Sequence, residues 1–523
     1  MREDNAEEKR VELHAHTKMS AMDGLSNTGD LIKTAIRWGH SAVAITDHGV
    51  VQAFPEAASA AGNDIKVIYG VEGYIFDDKE GKVAYNDKNT KTNHIIILAK
   101  NKTGLVNLYR LVSWSHLNYF YKKPRIPKSV LSKYREGLIL GSACVAGEIY
   151  SGILNGDAEE ELERKAEFYD YLEIQPIINN AFLLRNNENY TKETLIEFNR
   201  KIVKLGDELN KPVVATCDTH YINESDAIYR RVIQAGQGYK DIELGEGLYF
   251  RTTDEMLAEF DYLGERAKEI VIDNPNYIAK QIENISPTMD GKYAPKIKDS
   301  EKTLKETCEK TAKELYGEPL PSEIRERLDK ELNSIIGNQY AVMYISAKML
   351  VDKSMSDGYL VGSRGSVGSS FAATMAGITE VNPLKPHYVC PKCKHFEWDM
   401  TGEYECGFDM PEKKCPECGE LMRRDGHGIP FETFLGFEGD KEPDIDLNFA
   451  GEYQSTIHKY VERIFGKENC FKSGTISTVA GKTALAFVNE YYEDIGVRAN
   501  RLEKERIADK CKGVKRTTGQ HHL

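Results

Sequence analysis

Short apolar runs alternate with longer, helix-like stretches from residue 11 to about residue 221. The runs lie at 11–13, 42–45, 67–69, 95–98, 138–140 and 212–215. Strands that alternate with helical segments form a mostly parallel sheet or a (β/α) barrel, because each helix carries the chain back to the same edge of the sheet. This alternation predicts an α/β domain in the first half of the chain.

Side chains with metal-binding chemistry collect at the ends of these runs. In a barrel, the carboxyl ends of the strands form one rim, where active sites lie. Two positions depart from the pattern, because His94 begins its run and Asp23 lies in a loop. A single histidine at the rim is more often structural, but nine candidates at strand junctions favour a metal centre for Zn²⁺, Mn²⁺ or Fe²⁺ rather than Ca²⁺. The candidates are His14, His16, Asp23, His48, Glu72, His94, Cys144, Asp218 and His220.

Composition limits the class of protein. The chain has 523 residues, of which 41% are hydrophobic and 29% charged, as in soluble proteins of three or four domains. No apolar run is long enough to span a membrane, and residues 1–10 are too polar for a signal peptide. We therefore expect a cytoplasmic protein that does not bind membranes.

The net charge of −13 leaves only local basic stretches for contact with nucleic acid. One lies at 122–135, next to three aromatic residues at 119–121, and its simplest interpretation is solvated surface. The other lies at 498–516, after the aspartates at 444 and 446, and this position favours contact with nucleic acid.

A stretch rich in glycine and serine occupies residues 361–370, before an alanine-rich helical segment. Small residues let backbone N–H groups approach a phosphate, and Arg364 offers two parallel donors to its oxygens. The stretch lacks the Gly-Lys-Ser/Thr ending of a Walker A loop. Such a stretch alone is usually a flexible turn, but the paired aspartates downstream favour a triphosphate-binding loop.

The paired aspartates are Asp444 and Asp446, within the run from Pro443 to Phe449. In a β-strand, residues two positions apart point to the same face, so the two carboxylates would project together. Two carboxylates on one face repel each other unless a cation lies between them, and Mg²⁺ with substrate phosphates is the usual solution. By itself, a pair of aspartates two positions apart is weak evidence for a metal site. The glycine- and serine-rich stretch at 361–370 strengthens that evidence.

Two Cys-x-x-Cys pairs lie between these motifs. Cys390 and Cys393 form the first pair, and Cys415 and Cys418 form the second. This is strong zinc-ribbon spacing, and four thiolates complete the coordination of a structural Zn²⁺. Cys406 is surplus to such a site.

The order of the nine ligands in the first half resembles the PHP (polymerase and histidinol phosphatase) family. By that resemblance His14, His16, Glu72 and Asp218 would bind one metal ion. Glu72, His94 and Cys144 would bind a second ion, and Asp23, His48 and His220 a third. The chemistry of the family is metal-dependent phosphoester hydrolysis, with Zn²⁺ or Mn²⁺ as the expected ions.

The order of PHP module, glycine- and serine-rich loop, Cys₄ ribbon and PDIDLNF motif resembles the PolC-type replicative DNA polymerase III α subunit of low-GC Gram-positive bacteria. The resemblance covers nearly the whole chain and includes the motifs at 121–127, 141–144, 171–176 and 513–521. It implies template-directed DNA synthesis by two-metal nucleotidyl transfer, with primer-template DNA and dNTPs as substrates.

The same resemblance assigns residue roles in the polymerase palm. Asp444 and Asp446 would hold Mg²⁺ as two of the catalytic aspartates. The phosphates of the incoming nucleotide would contact Gly362, Ser363, Arg364, Gly365 and Ser366. The basic residues after residue 451 would lie along the phosphates of the duplex.

Three departures from the family pattern concern the extent of this chain. The family has a nucleic-acid-binding region before the PHP module, and a proofreading exonuclease where this chain has a short polar connector between Asp77 and Asn93. It also continues well beyond residue 520, with the third catalytic aspartate and the regions that would bind the sliding clamp and other replisome subunits. We therefore expect a fragment with an intact PHP metal site, an incomplete polymerase site and little or no primer extension.

Two further interpretations stay open. The PHP site could be a phosphoesterase or a 3′→5′ nuclease in its own right, or the PHP and ribbon metals could serve only the structure. The sequence does not separate these two.

The expected fold is α/β: a PHP-type distorted (β/α) barrel, then an α+β polymerase palm with an inserted Cys₄ zinc ribbon. The predicted boundaries are a polar segment at 1–10, the PHP domain at 11–235, and a first palm part with a helical linker and the phosphate loop at 236–387. The zinc ribbon follows at 388–424, the palm strand with the aspartates at 425–452, and the start of the thumb or the remaining palm at 453–523.

Overall fold

The computed structural model describes residues 2–78, 90–239, 246–289, 291, 293–436 and 441–520, without the side chain of Gln520. The chain divides into two units. The first combines Met1–Asp290 with Ser473–Leu523, and the second is Gly291–Lys472. The connector predicted between Asp77 and Asn93 lies largely outside the described residues.

The first unit is built on strands that match most of the predicted apolar runs. The strands are β1 (Ala42–Ile45), β2 (Lys66–Phe76), β3 (Asn93–Ala99), β4 (Arg125–Pro127), β5 (Leu138–Gly141), β6 (Leu172–Ile174) and β7 (Val213–Ala215). Branched apolar residues that are buried on both faces dominate β1, β3 and β5, as the continuous apolar runs require. The run at 11–13 forms isolated bridges rather than a regular strand.

These strands close into a ring. β1 pairs with β2, β2 with β3, and β3 with β5. A bridge between Gly141 and Tyr171 joins β5 to the β6–β7 pair, and bridges at Glu12–Val43 and Ala15–Thr219 close the ring through the segment 11–15. The expected PHP-type barrel is therefore confirmed.

One strand of the ring is reversed. β3 runs antiparallel to both β2 and β5, whereas β1 and β2, and β6 and β7, pair in parallel. The amino end of β3 therefore lies at the rim where its neighbours end. This reversal places His94, which lies at the start of its strand, at the same rim as the ligands that follow the ends of their strands.

Helices cover the barrel and bury their apolar faces against it. They are α1 (Thr28–Arg37), α2 (Phe54–Ala61), α3 (Lys102–Leu117), α4 (Lys128–Lys133), α5 (Glu148–Asn155), α6 (Glu159–Ala166), α7 (Phe182–Asn186), α8 (Lys192–Glu208), α9 (Ala227–Ala235), α10 (Thr253–Glu259), α11 (Arg266–Lys268) and α12 (Asn274–Lys280). A π-helical turn at Glu269–Asp273 joins α11 to α12. Its buried Ile270 and Val271 belong to the main barrel core, so the first unit extends to residue 290 rather than ending at the predicted 235.

The second unit has a helical core and small sheets. Its helices are α13 (Ser300–Tyr316), α14 (Ser322–Gly337), α15 (Ala341–Ser356), α16 (Phe371–Met375), α17 (Glu432–Leu435) and α18 (Gln454–Phe465). Its strands are β8 (Val361–Arg364), β9 (His387–Val389), β10 (Phe396–Trp398), β11 (Arg423–Asp425) and β12 (Asp446–Phe449). The apolar faces of α13 and α14 pack together, with Leu304, Cys308, Ile324 and Leu328 fully buried in one core.

The last described segment of the chain packs on the first unit. It contains β13 (Gly474–Thr478), α19 (Gly481–Asp494), α20 (Arg501–Cys511) and β14 (Lys515–Gln520). Val488 and Ile507 share a buried cluster with Val232 and Ile233 of α9. Residues 473–520 therefore belong with the barrel, whereas the sequence prediction grouped 453–523 with the polymerase part.

None of the described helices has the length and apolar character that crossing a membrane requires.

Candidate functional site

The barrel rim carries the candidate metal ligands on short segments that follow the strands. His14 and His16 lie on the extended segment that bridges β1 and the chain after β7. Extended chain has a period of two, so the two imidazoles face the same side. Asp218 and His220 lie two positions apart after β7, with Asp218 at a φ of +53°. A parallel bridge pairs His48 with Glu72.

The first predicted ligand set meets at one point. The Nε2 atoms of His14 and His16 lie 3.2 Å apart. The Oδ1 atom of Asp218 is 3.2 Å from Nε2 of His14 and 3.3 Å from Nε2 of His16, and both imidazoles lie 3.4 Å from oxygens of Glu72. A tetrahedral ion with bonds of about 2.0–2.1 Å separates its ligand atoms by about 3.3–3.4 Å. The set therefore has the spacing of a metal coordination shell.

The second predicted set shares Glu72 with the first. The Oε1 atom of Glu72 lies 2.7 Å from Nδ1 of His94. The Sγ atom of Cys144 is 3.5 Å from that oxygen and 3.4 Å from Nδ1 of His94. The Glu72 carboxylate is thus placed to bridge two ions.

The third predicted set meets around Asp23. Its Oδ2 atom lies 3.0 Å from Nε2 of His48 and 3.1 Å from Nε2 of His220. The Nδ1 atom of His48 also reaches Oε2 of Glu72, at 2.6 Å. The three sets are therefore continuous, and the structure brings all nine predicted ligands together at one rim.

Buried charges in this cluster shift one another's pKa values. Burial raises the pKa of Glu72, but the imidazoles of His94, His48 and His14 outweigh that effect and hold its pKa well below the usual range. Burial lowers the pKa of His16 to about 3, and positive charge on His48 and His220 acts in the same direction. Such a group of buried carboxylates needs positive charge, which bound divalent ions supply.

Orphaned atoms in the cluster fit a metal. The Oε2 atom of Glu72, the Nδ1 atom of His48 and the Oδ1 atom of Asp218 are buried and have no partner with hydrogen-bond geometry among the described residues. Nδ1 of His48 and Oε2 of Glu72 lie 2.6 Å apart without hydrogen-bond geometry. Because buried polar groups are normally paired, a bound ion would satisfy these atoms. Nitrogen, oxygen and sulfur donors of this kind suit Zn²⁺ or Mn²⁺.

Residues behind the ligands hold them in place, and the sequence prediction missed these residues. The buried carboxylate of Glu173 lies 2.7 Å from Nδ1 of His14 and accepts hydrogen bonds from Gln175 and Thr216. Arg230 donates to the Oδ1 atom of Asp23. Glu173 lies on the short strand β6, and its position on a strand of the barrel was the signal that could have identified it.

Asp47 supports the cluster without joining it. Its carboxylate accepts hydrogen bonds from the backbone and hydroxyl of Thr17, at 2.6 and 2.8 Å, and from Ser20, at 2.7 Å. The Ser20 hydroxyl in turn lies 2.9 Å from Nδ1 of His16. Asp47 thereby fixes the loop that leads to Asp23.

The four cysteines of the predicted ribbon also come together. The Sγ atoms of Cys390 and Cys418 lie 3.4 Å apart, as do those of Cys393 and Cys415, and all four lie within 4.8 Å of one another. β9 pairs antiparallel with β10 and β11 to form the small sheet beside them. Cys406 is not in this group, and the ring nitrogens of His395 face Glu397 and Glu417 instead. The cluster has the ligands of a structural zinc site.

The glycine- and serine-rich stretch and the aspartate run pair directly. β8 and β12 are antiparallel neighbours, with Arg364 opposite Asp446 and Ser363 opposite Leu447. The Nη2 atom of Arg364 lies 3.7 Å from Oδ2 of Asp446, and the side chain of Arg364 is largely exposed whereas that of Asp446 is partly exposed. Asp444 precedes β12 and is exposed. Gly362, Ser363 and Arg364 thus share one two-stranded ribbon with Asp446, whereas Asp444, Gly365 and Ser366 lie just outside it.

A buried acid that the sequence prediction missed supports this ribbon. Glu331 of α14 accepts hydrogen bonds from the hydroxyl of Ser370, at 3.0 Å, and from the backbone of Ala372, at 2.9 Å. Its carboxylate also pairs with Arg327, whose guanidinium donates to the carbonyl of Ser369. Glu331 therefore fixes the end of the 361–370 stretch and the start of α16.

Comparison with protein families gives two matches. Residues 12–176 match the PHP domain, and residues 302–505 match the bacterial DNA polymerase III alpha NTPase domain. The first match contains most of the metal cluster, and the second contains the β8–β12 ribbon and the four cysteines.

Individual relatives extend the likeness along the chain. A protein named DNA polymerase III PolC-type from Clostridium perfringens is 42% identical over 714 aligned positions, which cover 99% of this chain and 49% of that protein. The protein of the same name from Bacillus subtilis is 38% identical, over 99% of this chain and 50% of its own length. The chain thus spans about half the length of the curated relatives it matches. The 714 positions also exceed the 523 residues of this chain, so the Clostridium protein has internal residues with no counterpart here.

The solved structures show only a weak likeness. An amidohydrolase from Chromobacterium violaceum is 13% identical and matches 40% of this chain and 87% of its own, with a TM-score of 0.25. A score this low supports no argument about the site.

Proposed function

Because this chain belongs to the PolC-type DNA polymerase III family, we propose that its second unit binds a deoxynucleoside triphosphate for template-directed DNA synthesis. The supporting observation is the β8–β12 ribbon, in which the predicted phosphate-binding arginine lies opposite the predicted Mg²⁺-binding aspartate. The exposure of both side chains leaves them free to contact a substrate.

Each side chain of the ribbon has a separate role in this proposal. The guanidinium of Arg364 would hold phosphate oxygens of the incoming nucleotide in a bidentate contact. Gly365 has a φ of +75°, and a Cβ there would approach Oδ2 of Asp446 to 3.4 Å, so glycine keeps the turn close to the carboxylate. Asp444 and Asp446 would hold Mg²⁺, which neutralises phosphate charge when bound.

The substrates follow from this assignment. Primer-template DNA would supply the attacking 3′-OH, and pyrophosphate would leave. Specificity would come from base pairing, with the protein holding phosphates. The sliding clamp and other replisome subunits belong to the same proposal as partners of the full-length family.

Equilibrium binding of a fluorescent dATP analogue in the presence of Mg²⁺ tests the ribbon. We expect Arg364→Ala and Asp446→Asn each to weaken binding at least tenfold, because each removes one charged contact to the triphosphate. Lys310→Ala is the matched control, since Lys310 is an exposed cation on α13 of the same unit. Equal affinities for all four proteins would show that the ribbon is not the nucleotide site.

A second function is favoured by the metal cluster. We propose that the barrel rim hydrolyses phosphoesters in a metal-dependent reaction, because all nine expected ligands meet at one rim and the first set has the spacing of a coordination shell. A bound divalent ion there would lower the pKa of water and offset charge on the phosphate. Glu173 would keep Nε2 of His14 directed at the ion.

Cleavage of a 3′-labelled single-stranded oligonucleotide with Mn²⁺ tests this second function. We expect His14→Ala and Asp218→Ala to abolish cleavage, and His458→Ala, an exposed histidine outside the cluster, to leave it unchanged. If Mn²⁺ binds and raises the melting temperature while no substrate is cleaved, the cluster is structural and this proposal fails.

A further inference from the structure

We infer that Lys123 is the phosphate-binding side chain of the barrel metal centre, and that the ligand it holds is a phosphate group beside the bound ions. This inference deepens the proposed phosphoester hydrolysis and rests on it for the identity of the reaction. Phosphate binding itself is measurable whether or not hydrolysis occurs.

The register of one short strand places Lys123 at the rim. β2 extends past its pairing with β1, and its last residues pair in parallel with β4, with Tyr74 opposite Arg125. The residues just before β4 therefore lie beside Tyr74, which follows the metal ligand Glu72 by two positions. A tight turn reverses the chain there, because Lys122 has a φ of +59° and Tyr121 pairs with Lys123.

Close packing fixes this turn over the cluster. A Cβ on Gly49 would lie 2.4 Å from Cγ of Pro124, so the chain after His48 is in direct contact with the residue after Lys123. The N–H of Gly49 donates to the carbonyl of Glu72. The turn is thereby tied to two segments that carry ligands.

The ammonium group of Lys123 lies over a ring that neighbours the candidate metal ligands. Its Nζ atom lies 4.5 Å from the centre of the Tyr74 ring. The same ring lies 5.1 Å from the imidazole of His94 and 6.0 Å from that of His48. Burial lowers the pKa of Lys123, and the negative charge of Glu72 opposes this shift.

Lys123 differs from three of the cations in its basic stretch, which have polar partners, and it is less exposed than Lys122 and Lys133. Lys128 pairs with Glu148 at 2.8 Å, and Arg135 pairs with Asp170 at 3.0 Å. Arg125 is buried and donates to the carbonyl of Tyr119. Within the described part of the chain, the Lys123 ammonium contacts the face of the Tyr74 ring and forms no ion pair. The stretch was expected to be solvated surface, but Lys123 is half-buried.

A phosphate would satisfy this arrangement. A half-buried ammonium without a counter-ion is costly, and a charge-assisted hydrogen bond to a phosphate oxygen removes the cost. The cation–π contact with Tyr74 holds the ammonium in place before the ligand arrives. Lys123 and the bound ions would contact different oxygens of one phosphate.

Calorimetric titration of the metal-loaded chain with inorganic phosphate tests the inference. We expect Lys123→Ala to raise the Kd for phosphate at least tenfold while the metal content stays equal to that of the parent. Lys122→Ala is the matched control, because Lys122 is an exposed neighbour on the same turn, and we expect its Kd to be unchanged. Lys123→Arg should recover part of the affinity.

The inference is overturned if Lys123→Ala binds phosphate as the parent does, if it loses metal, or if the parent binds no phosphate. Cleavage assays then test the hydrolysis proposal independently of phosphate binding by Lys123. Phosphate binding that depends on Lys123 without any cleavage sensitive to His14→Ala would retain the inference and reject hydrolysis. If cleavage occurs, Lys123→Ala should raise KM more than it lowers kcat.

Discussion

Glu173 supports the metal centre although it is not one of the nine ligands. It is fully buried, and its carboxylate lies 2.7 Å from Nδ1 of His14. A carboxylate behind a metal-binding imidazole fixes the tautomer and makes the other ring nitrogen a stronger ligand. The affinity of the cluster therefore depends on this residue as well as on the ligands.

We expect Glu173→Gln to lower the affinity for Mn²⁺ or Zn²⁺ by about 10–100-fold. The amide keeps the size of the side chain but lacks the negative charge that polarises His14. Competition with a chromophoric chelator measures the effect. Glu167→Gln, an exposed position nearby in sequence, is the control. Equal metal affinity in the two variants would show that Glu173 does not support the candidate metal site.

A buried pair near the amino terminus predicts how stability depends on pH. The Oδ2 atom of Asp4 lies 2.9 Å from Nε2 of His40 and accepts hydrogen bonds from the backbone and hydroxyl of Thr253. Burial raises the pKa of Asp4, but the hydrogen bonds from His40 and Thr253 outweigh burial and hold it below its usual range. Burial lowers the pKa of His40, and the hydrogen bond to Asp4 only partly offsets this.

The lowered pKa of His40 means that the unfolded state takes up a proton before the folded state does. Its contribution to stability is therefore present above the unfolded pKa of about 6.5 and is lost as pH falls below that value. We expect the first unit to lose less stability between pH 7.5 and 5.5 in His40→Gln than in the parent. Thermal unfolding in EDTA at several pH values measures this slope. An unchanged slope in His40→Gln would show that His40 does not contribute to this pH dependence.

Strand direction is the part of the fold that the sequence leaves undetermined. The apolar runs of β1, β3 and β5 are visible in the sequence because residues buried on both faces must be apolar. The reversal of β3 is not visible, since an apolar run reads the same in both directions. His94 could therefore be identified as a ligand candidate by residue type, while its place at the rim required the strand pairing.

The ribbon strands are short elements that depend on the thiolate cluster. β9, β10 and β11 have three residues each, and the small core beside the cysteines contains Tyr388, Met410 and Met422. Val389, Phe396 and Trp398 pack on the helical core of the second unit, but the part of the ribbon around the cysteines has little apolar burial of its own. We therefore expect metal binding to supply part of the folding free energy of the ribbon.

We expect Cys390→Ser to remove one equivalent of zinc and to lose hydrogen-exchange protection at the amides of β9, β10 and β11. Cys406→Ser, which changes a cysteine outside the cluster, should retain both the zinc and the protection. Atomic absorption and hydrogen-exchange mass spectrometry give the two readouts. Full zinc content in Cys390→Ser would show that another residue completes the site.

At the scale of the whole molecule, the first unit is assembled from both ends of the sequence. α19 and α20 pack on α9, and Ile507 and Val488 are fully buried in the shared cluster. No local pattern in the sequence could predict this, because an amphipathic helix shows that it has an apolar face but not what that face meets. The predicted grouping of 453–523 with the polymerase part followed sequence order instead.

We expect Ile507→Ala to lower the free energy of unfolding of the first unit by about 2–5 kcal/mol, through lost burial and the cavity that remains. Leu502→Ala is the control on the same helix, because Leu502 is 78% exposed and should change stability little. Chemical denaturation monitored by a probe in the first unit measures the difference. Similar stabilities for the two variants would mean that α20 does not pack on α9.

The contact between the Asp23 loop and β14 has a consequence for the order of events during synthesis. The N–H of Met22 donates to the carbonyl of Lys515, and the N–H of Lys515 donates to the carbonyl of Lys18. At bacterial translation rates of about 5–20 residues per second, the ribosome makes the second partner roughly 25–100 s after the first. A nascent chain can therefore form the His14–His16 ligand pair early, but the loop that carries Asp23 gains its final support only when the end of the described chain has left the ribosome.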